Sequence, residues 1–400
     1  MRSSTTSAED ASGARRLDPV AFRRDRVTWL AYGLLAWFAY LQAAPGLVVA
    51  HLRDELHIGY ATGGLHVAAF ATGSIVAGVT AGGVERAIGR RNVLWLASVV
   101  LALGTVGLTL GRVPAATVGA LLVAGWGGAT LLITIQALLA DHHGEQRAVA
   151  LTEANVFASF AYVVLVGALS LAAAIGAGWR AALLASFAVP LLAYAGNRHT
   201  TVHTPAHQPN ERGGGLGGAF AVAVAMLFCA VSAEWGITAW GASFAEAAAD
   251  VSTDTAVALM FGYFGGVVIG RATGSRLARR HAEHRLLALA LAIAATGFAL
   301  LWPAQSPPLV LAGLFVIGLG IGNLFPLALA VCVGLAPQRA QAASSRAVLV
   351  GSGAILLAPL TIGALADATS IEKALLVVPV MLGLAAVGLT AVTRARGLVR

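Results

Sequence analysis

The chain has 400 residues, of which 58% are hydrophobic and only 11% are charged. A soluble domain carries about 25% charged residues, so this composition excludes an ordinary soluble protein and indicates a membrane protein. The formal net charge is +8, but the positions of the basic residues, described below, account for it without a nucleic-acid partner.

The apolar segments are continuous runs, which predicts membrane-spanning helices rather than the alternating strands of a barrel. Residues 1–27 contain six Arg and no apolar run, so we expect a cytoplasmic tail rather than a signal peptide. Twelve spans follow, separated by turn residues or charges. In chain order they are predicted at about 28–50, 61–83, 92–111, 115–139, 149–176, 180–196, 217–244, 255–275, 284–303, 308–335, 344–366 and 373–393.

The least hydrophobic interior stretch divides the chain into two apolar halves. Residues 197–218 read NRHTTVHTPAHQPNERGGGLGG, and this Pro- and Gly-rich polar composition is typical of a linker. We therefore predict a six-helix half at 28–196, a cytoplasmic linker at 197–218, a second six-helix half at 219–393 and a cytoplasmic tail at 394–400.

Several short motifs recur in the same order in the two halves, at spacings of 189 to 193 residues. The matching segments are Arg90–Arg91 with Arg279–Arg280, Gly125–Gly128 with Gly318–Gly322, and Gln146–Ala148 with Gln338–Ala340. This recurrence predicts two parallel six-helix repeats, an arrangement typical of a transporter whose site lies at the midplane between them.

The basic residues predict the orientation of the chain. An even number of spans places both termini on one side. If that side is cytoplasmic, the outer loops hold only four basic residues, and the cytoplasmic segments hold the other 22 of the 26 Lys and Arg. The four are Arg53, Arg112, Arg180 and Lys373. This asymmetry follows the positive-inside rule. The single Lys and the abundant Ala and Gly point to a GC-rich bacterium, so we expect a bacterial cytoplasmic (inner) membrane.

The loop between spans two and three reads GGVERAIGRR from Gly82 to Arg91. It resembles the Gly-x-x-x-Asp-Arg-x-Gly-Arg-Arg-like signature of the major facilitator superfamily, with Glu85 in place of Asp and altered spacing. A second copy, from Gly270 to Arg280, lacks the acidic residue, and GAGWR before span six resembles a turn that family members often carry. The resemblance implies an all-α membrane protein of twelve transmembrane helices in two parallel six-helix repeats.

In this family the two basic loops form a cytoplasmic latch, through charge pairs and close helix contacts at glycine. The latch residues that the resemblance implies are Glu85, Arg86, Gly89, Arg90, Arg91, Arg271, Gly274, Arg276, Arg279 and Arg280. Arginines that only set topology are the alternative explanation. Arg271 also has the alternatives of pairing with an acid or reaching the interface. An Arg in span four and a Gly-Pro pair in span five, both common in the family, are absent from the sequence, which argues against a standard drug antiporter.

Glu234 is the ionisable residue that lies deepest in a predicted span. An ionised carboxyl there costs roughly 2.5–3.5 kcal/mol, so it is expected to face the interior of the bundle or a water-filled cavity. A buried carboxyl can bind and release a proton, and Glu234 is therefore the first candidate for proton coupling. The alternative is a structural carboxyl bonded to a neighbour. Glu153, which resembles a residue at a helix start, is the second candidate.

The resemblance implies that spans one, four, seven and ten line a central cavity. The residues predicted to contribute to the substrate cavity are Tyr40, Gln42, Trp126, Gln136, Asn155, Trp235, Trp240 and Asn323. Apolar walls with a few polar groups suit a small organic ligand. Lipid-facing or core positions are the alternative for each aromatic residue, and an interfacial anchor is the alternative for Trp240.

These patterns predict a secondary transporter that works by alternating access, as a monomer in the lipid bilayer. The sequence contains no nucleophile elbow, Walker motif or metal-ligand spacing, so we expect neither an enzyme nor a cofactor or metal. Proton-coupled export of a small organic compound is the first interpretation. Uptake or facilitated diffusion of a small anionic or polar metabolite is the alternative, and a transport-inactive sensor or scaffold is a third possibility.

Overall fold

The computed structural model describes residues 22–198, 200, 217–395 and 397. Most of the predicted linker 197–218, and much of the tails 1–27 and 394–400, lie outside the described residues. Within them, every predicted span forms as helix. Nine spans are single helices: Arg26–Leu56, Tyr60–Ile88, Arg90–Leu110, Pro114–His143, Arg147–Ala174, Gly218–Ala249, Thr253–Leu277, Glu283–Leu301 and Ala340–Ala368.

The other three spans each consist of two helices. Span six contains Gly178–Ala185 and Ala188–Asn197, span ten contains Pro307–Ile321 and Leu324–Gly334, and span twelve contains Ile371–Ala374 and Val377–Ala395. By length and composition, eleven described segments are able to cross a membrane, and one of these, Pro114–Ala174, contains spans four and five. The short turn Gly144–Gln146 separates those two spans. The structure therefore confirms the all-helical fold with twelve spans.

Span one begins at a well-defined N-terminal cap. The Asp25 carboxylate accepts hydrogen bonds from the backbone N–H and the hydroxyl of Thr28, at 2.9 and 2.7 Å. His142, near the end of span four, lies 2.6 Å from the other Asp25 oxygen. Burial opposes ionisation of Asp25, but these hydrogen bonds outweigh it and lower the pKa of Asp25 to about 2. The cap satisfies an orphan N–H of the helix and ties span one to span four.

The two halves repeat each other with a constant spacing of 193 residues. His57 and Asp250, each at the C-terminal end of the first helix of its half, are 193 residues apart, and both adopt the left-handed backbone conformation. The same spacing relates the turns Gly144–Gln146 and Pro337–Arg339. Span three begins at Arg90 and span nine at Glu283, again 193 residues later. Arg279 therefore lies four residues before the structural counterpart of Arg90.

Glycines lock three helices of each half together in the same way. A Cβ on Gly73 of span two would collide with the backbone of span four at Leu122 and Trp126. At the matching position of the second half, Gly266 would collide with Phe315 and Leu319. Spans three and four are joined similarly at Gly104 and Gly127, and spans nine and ten at Gly297 and Gly320. Helix backbones approach this closely only where glycine leaves room, so each half is closely packed.

The halves meet most closely on one side of the bundle. We call the side on which span one begins the terminal side, and the other the opposite side. On the opposite side, a Cβ on Gly64 of span two would lie 2.7 Å from the Pro359 carbonyl oxygen of span eleven. The Asp367 carboxylate, also on span eleven, accepts hydrogen bonds from the backbone N–H groups of Tyr60 and Ala61, at 2.7 and 2.8 Å. Span eleven therefore caps the N-terminus of span two.

Spans one and seven also touch across the two halves. A Cβ on Gly46 would overlap the carbonyl oxygen of Thr238 and lie 3.0 Å from the Ala239 Cα atom. Nearer the opposite side, His51 of span one lies 2.9 Å from Asp254, in the first turn of span eight. These contacts close the opposite side of the interface between the halves.

Candidate functional site

A small cavity of about 30 Å³ lies between the halves. Its lining residues are Gln42, Ala43 and Tyr162 from the first half, and Glu234, Trp235, Thr238, Tyr263, Phe264, Val267 and Arg271 from the second. A cavity of this size holds about one or two water molecules. Among the described residues, no group of three or more His, Cys, Asp or Glu side chains is placed to hold a metal ion.

Glu234 and Arg271 form the charged centre of this cavity. The Glu234 Oε1 atom lies 3.8 Å from Nη2 of Arg271, and their side chains are 16% and 30% exposed. Opposite charges in a site of low polarity attract strongly, but 3.8 Å exceeds a normal N–H···O hydrogen bond. The pair is therefore electrostatically coupled and leaves a gap between the two groups.

Two further contacts hold the guanidinium of Arg271. Its Nη1 donates to the Ser159 hydroxyl of span five at 2.8 Å, and its Nε donates to the Gly322 carbonyl of span ten at 3.1 Å. Pro326 has no N–H, so Gly322 cannot form the usual helical hydrogen bond four residues ahead. Arg271 compensates for that missing bond, which fixes its side chain at the break in span ten.

Neutral polar groups surround the pair. The Tyr162 hydroxyl donates to Oε1 of Gln42 at 3.3 Å, and this bond joins spans five and one. The hydroxyls of Thr238 and Tyr263 lie 2.9 Å apart, and Tyr263 also donates to the Glu234 carbonyl at 3.3 Å. These hydroxyls and amides can exchange partners with a polar ligand without moving charge.

The charged pair occurs in only one of the two repeats. At the 193-residue spacing, Glu234 corresponds to Leu41 and Arg271 corresponds to Gly78. The first half therefore contributes Gln42, Tyr162 and apolar surface to the site, whereas the second half contributes both charges.

Two of the eight residues predicted for the substrate cavity, Gln42 and Trp235, line it. Tyr40 is buried inside the first half, where its hydroxyl donates to the Ala182 carbonyl at 2.8 Å. Trp126 donates to the Thr80 hydroxyl at 2.9 Å, within the first half. Gln136 and Asn155 are exposed and do not line this cavity.

Trp240 and Asn323 have positions of a different kind. Trp240 is fully buried, and its indole N–H donates to the Pro359 carbonyl of span eleven at 3.0 Å, so it joins the halves on the opposite side. The Asn323 amide donates to the Gly270 carbonyl at 2.7 Å, next to the break in span ten. Both residues border the interior of the bundle without lining the cavity.

Glu153 lies near the terminal side, outside the cavity. Arg24 donates to both of its carboxylate oxygens, at 2.6 and 2.8 Å, and the Tyr32 hydroxyl donates to it at 3.2 Å. Span five begins at Arg147, so Glu153 lies almost two turns inside the helix rather than at its start. In this arrangement Glu153 joins span five to the segment that precedes span one.

The first basic loop forms a charge network within the first half. Arg90 is buried, and it donates to Glu85 at 2.7 Å and to Asp141 of span four at 2.6 Å. Gly89 has a φ of +79°, a conformation that other residues adopt at a cost, and it allows span three to start directly after span two. Arg91 donates to the Arg198 carbonyl.

The other expected latch residues separate into two groups. Arg86 is exposed and donates to the Gly82 carbonyl of its own helix, and Arg276, Arg279 and Arg280 are exposed. Arg271 lies in the cavity rather than at the terminal surface, and Gly274 packs against the Asn323 side chain.

The comparison with protein families decides the classification. Residues 28–345 match the model of the Major Facilitator Superfamily. The chain belongs to the Major Facilitator Superfamily. Membership of this family and the twelve-span fold support a multi-pass membrane transporter rather than an enzyme.

Solved structures of superfamily transporters have the same fold. The structure is similar to that of a bacterial homologue of the human lysosomal transporter Spinster, solved in an inward-facing, unoccupied conformation (TM-score 0.76, 14% identity, covering 93% of this chain and 98% of that chain). It is also similar to a mutant of the nucleoside transporter NupG (TM-score 0.73, 12% identity, 92% of this chain and 98% of that chain). No curated protein matches the sequence. At these identities the similarity shows the fold alone.

Five cavity-lining or supporting residues were not identified from the sequence: Ser159, Tyr162, Thr238, Tyr263 and Phe264. Ser159 and Tyr162 are three residues apart and therefore share a face of span five, which is a signal that periodicity could have found. For Tyr263 and Phe264 the sequence offers no comparable signal, because aromatic residues are common on every face of an apolar helix.

Proposed function

We propose that this superfamily member is a proton-coupled secondary transporter, which moves a small organic compound by alternating access with Glu234 as the coupling carboxyl. The observation that carries the proposal is the position of Glu234, because its side chain lines the cavity between the two halves opposite Arg271. Loss of a proton from Glu234 creates a charge that interacts with Arg271. Protonation therefore biases the relative energies of conformations that arrange the pair differently.

The contacts between the halves support a defined conformational state. If both termini are cytoplasmic, as the basic residues predict, the closed side at Gly64 and Gly46 is the outer side, and this arrangement is inward-facing. The similar Spinster homologue was also solved in an inward-facing conformation. In this proposal, outward opening separates span two from span eleven and span one from span seven.

Two directions of transport are compatible with a proton-coupled carboxyl. Export is favoured by the aromatic and apolar lining of the cavity, which suits a hydrophobic compound. Uptake of a small anionic or polar metabolite is favoured by the position of the Arg271 guanidinium in the same cavity.

The test is flux in proteoliposomes with and without an imposed pH gradient. Glu234→Gln imitates the protonated carboxyl with little change of shape, so the variant is expected to bind and exchange substrate but to lose accumulation driven by the gradient. Glu234→Asp is expected to retain partial coupling. Glu246→Gln is the matched control, because Glu246 is on the same span and bonds to Thr253 away from the cavity.

The decisive comparison is between Glu234→Gln and the parent protein. If the variant concentrates substrate as well as the parent does, Glu234 is a structural residue. Coupling then depends on another carboxyl, and Glu153 is the next to test.

A further inference from the structure

The guanidinium of Arg271 is held as a receptor for a second group. Its Nε and Nη1 atoms are engaged by Gly322 and Ser159, which fixes its plane. Its Nη2 atom points toward Glu234, yet the 3.8 Å separation is too long for a hydrogen bond. The cavity of about 30 Å³ is lined by both side chains. A fixed guanidinium with available donors beside a cavity matches the geometry that carboxylate and sulfonate groups bind.

We propose that Arg271 binds the anionic group of the substrate, and that the substrate is a small organic monoanion which enters together with the proton on Glu234. This inference rests on the proposed role of Glu234 in coupling. It adds a substrate class and a second residue to that role, and it selects uptake as the direction.

The charge of the site provides the reason. When Glu234 is ionised, Arg271 and Glu234 neutralise each other, and an incoming anion meets a negative group in a poorly solvated cavity. When Glu234 is protonated, Arg271 is the uncompensated charge and attracts an anion. Proton binding and anion binding therefore strengthen each other, and this coupling is reciprocal. Both ligands then move in the same direction, and an inward proton gradient drives uptake.

The groups around Glu234 are consistent with this coupling. Among the described residues, the charged or titratable groups that face it are Arg271 and Tyr263 from span eight and Tyr162 from span five. Span one contributes Gln42, which carries no charge. Arg271 is thus the cation that responds to the ionisation state of Glu234.

The rest of the cavity wall describes the body of the anion. The rings of Tyr162 and Phe264 lie 5.4 Å apart across the boundary between the halves. Trp235 and Val267 line the same space. Aromatic and aliphatic walls next to one cation favour an apolar or aromatic body bearing a single negative group over a small hydrated inorganic anion.

A binding experiment with three matched aromatic compounds tests the inference. Benzenesulfonate is anionic throughout the pH range used, benzenesulfonamide is its neutral analogue, and benzylamine is cationic. Binding to the purified full-length protein is measured from thermal stabilisation at mildly acidic and at mildly alkaline pH. Benzenesulfonate is expected to bind about tenfold more tightly at acidic pH, which corresponds to about 1.4 kcal/mol. The sulfonamide and the amine are expected to show no such gain.

Variants assign the effect to residues. Glu234→Gln is expected to bind benzenesulfonate with the affinity of the acidic parent at both pH values. Arg271→Gln is expected to lose the preference for the sulfonate, and Arg271→Lys to keep a weakened preference, since Lys retains the charge without the planar fork. Arg276→Gln, an exposed arginine on the same span, is the matched control and is expected to behave as the parent.

The result that overturns the inference is the absence of a sulfonate preference that depends on Arg271, whether because all three compounds bind alike or because none binds. Proton movement into proteoliposomes, followed with an enclosed pH dye, separates this failure from failure of the proposed function. If benzylamine or the sulfonamide elicits Glu234-dependent proton movement and benzenesulfonate does not, coupling through Glu234 stands and the anion site is wrong. Co-movement of protons with benzenesulfonate that is lost in Arg271→Gln supports both.

Discussion

The contact between spans one and seven offers a direct test of how the opposite side closes. A Cβ on Gly46 would overlap the Thr238 carbonyl oxygen and approach the Ala239 Cα atom to 3.0 Å. In Gly46→Ala the two spans have to separate by roughly 1 Å to reach an ordinary contact distance. Overpacking of this kind costs about 1–3 kcal/mol. The cost applies to the conformation closed on this side, so it shifts the balance toward the open one by about 5- to 150-fold.

The assay is a distance distribution between spin labels on opposite-side loops of the two halves, at Arg112 and Gln305, in protein without its native cysteines. Gly46→Ala is expected to increase the population at long distance. Gly33→Ala is the control on the same span, because a Cβ on Gly33 meets no atom within 4 Å. If Gly46→Ala and Gly33→Ala give the same distribution as the parent, closure does not depend on this contact and the reasoning is refuted.

Three further outcomes follow from the terminal side and from the topology. Arg90→Ala, which leaves two carboxylates without their buried partner, is expected to lower the free energy of unfolding by about 3 kcal/mol and to slow transport without abolishing ligand binding; Arg86→Ala should change neither, and lost binding with normal stability would contradict the latch. A cysteine at Arg112 should react with an impermeant reagent in intact cells whereas one at Arg280 should not, and the reverse pattern would invert the topology. Asp25→Ala should lower stability by about 1 kcal/mol at neutral pH. Because the pKa of Asp25 in the folded protein, about 2, lies below its unfolded value of about 3.9, the difference should persist above about pH 4 and vanish as the pH falls to about 2, as followed by thermal unfolding at several pH values.

The sequence was sufficient to predict the architecture, because each span has to satisfy its backbone hydrogen bonds internally and therefore appears as a continuous apolar run. It was also sufficient to identify Glu234, since a charge inside such a run is costly unless it faces the interior. Gln42 and Trp235, both predicted for the cavity, line it.

What the sequence did not reveal depends on contacts between distant helices. Arg271 was expected to belong to the latch, but its position is determined by a carbonyl that Pro326 leaves without a donor, on a different span. The faces of Tyr40 and Trp240 could not be assigned because a fully apolar helix has no periodicity to orient it. The register of the repeat was obscured because shared dipeptides fall at spacings of 189 and 192, whereas the backbone repeats at 193, as at His57 and Asp250.

The constant 193-residue register bears on how this protein arose. A single ancestral half that already contained the glycine contacts, copied once and joined to itself, accounts for the matched contacts of Gly73 with Gly266 and of Gly104 with Gly297. Glu234 and Arg271 have no charged counterparts in the first half, so the charged centre distinguishes the two copies. The rigid scaffold is thus older than the asymmetry it carries. Exchange of the first half for that of a related transporter is a route to new selectivity that leaves both charged residues in place.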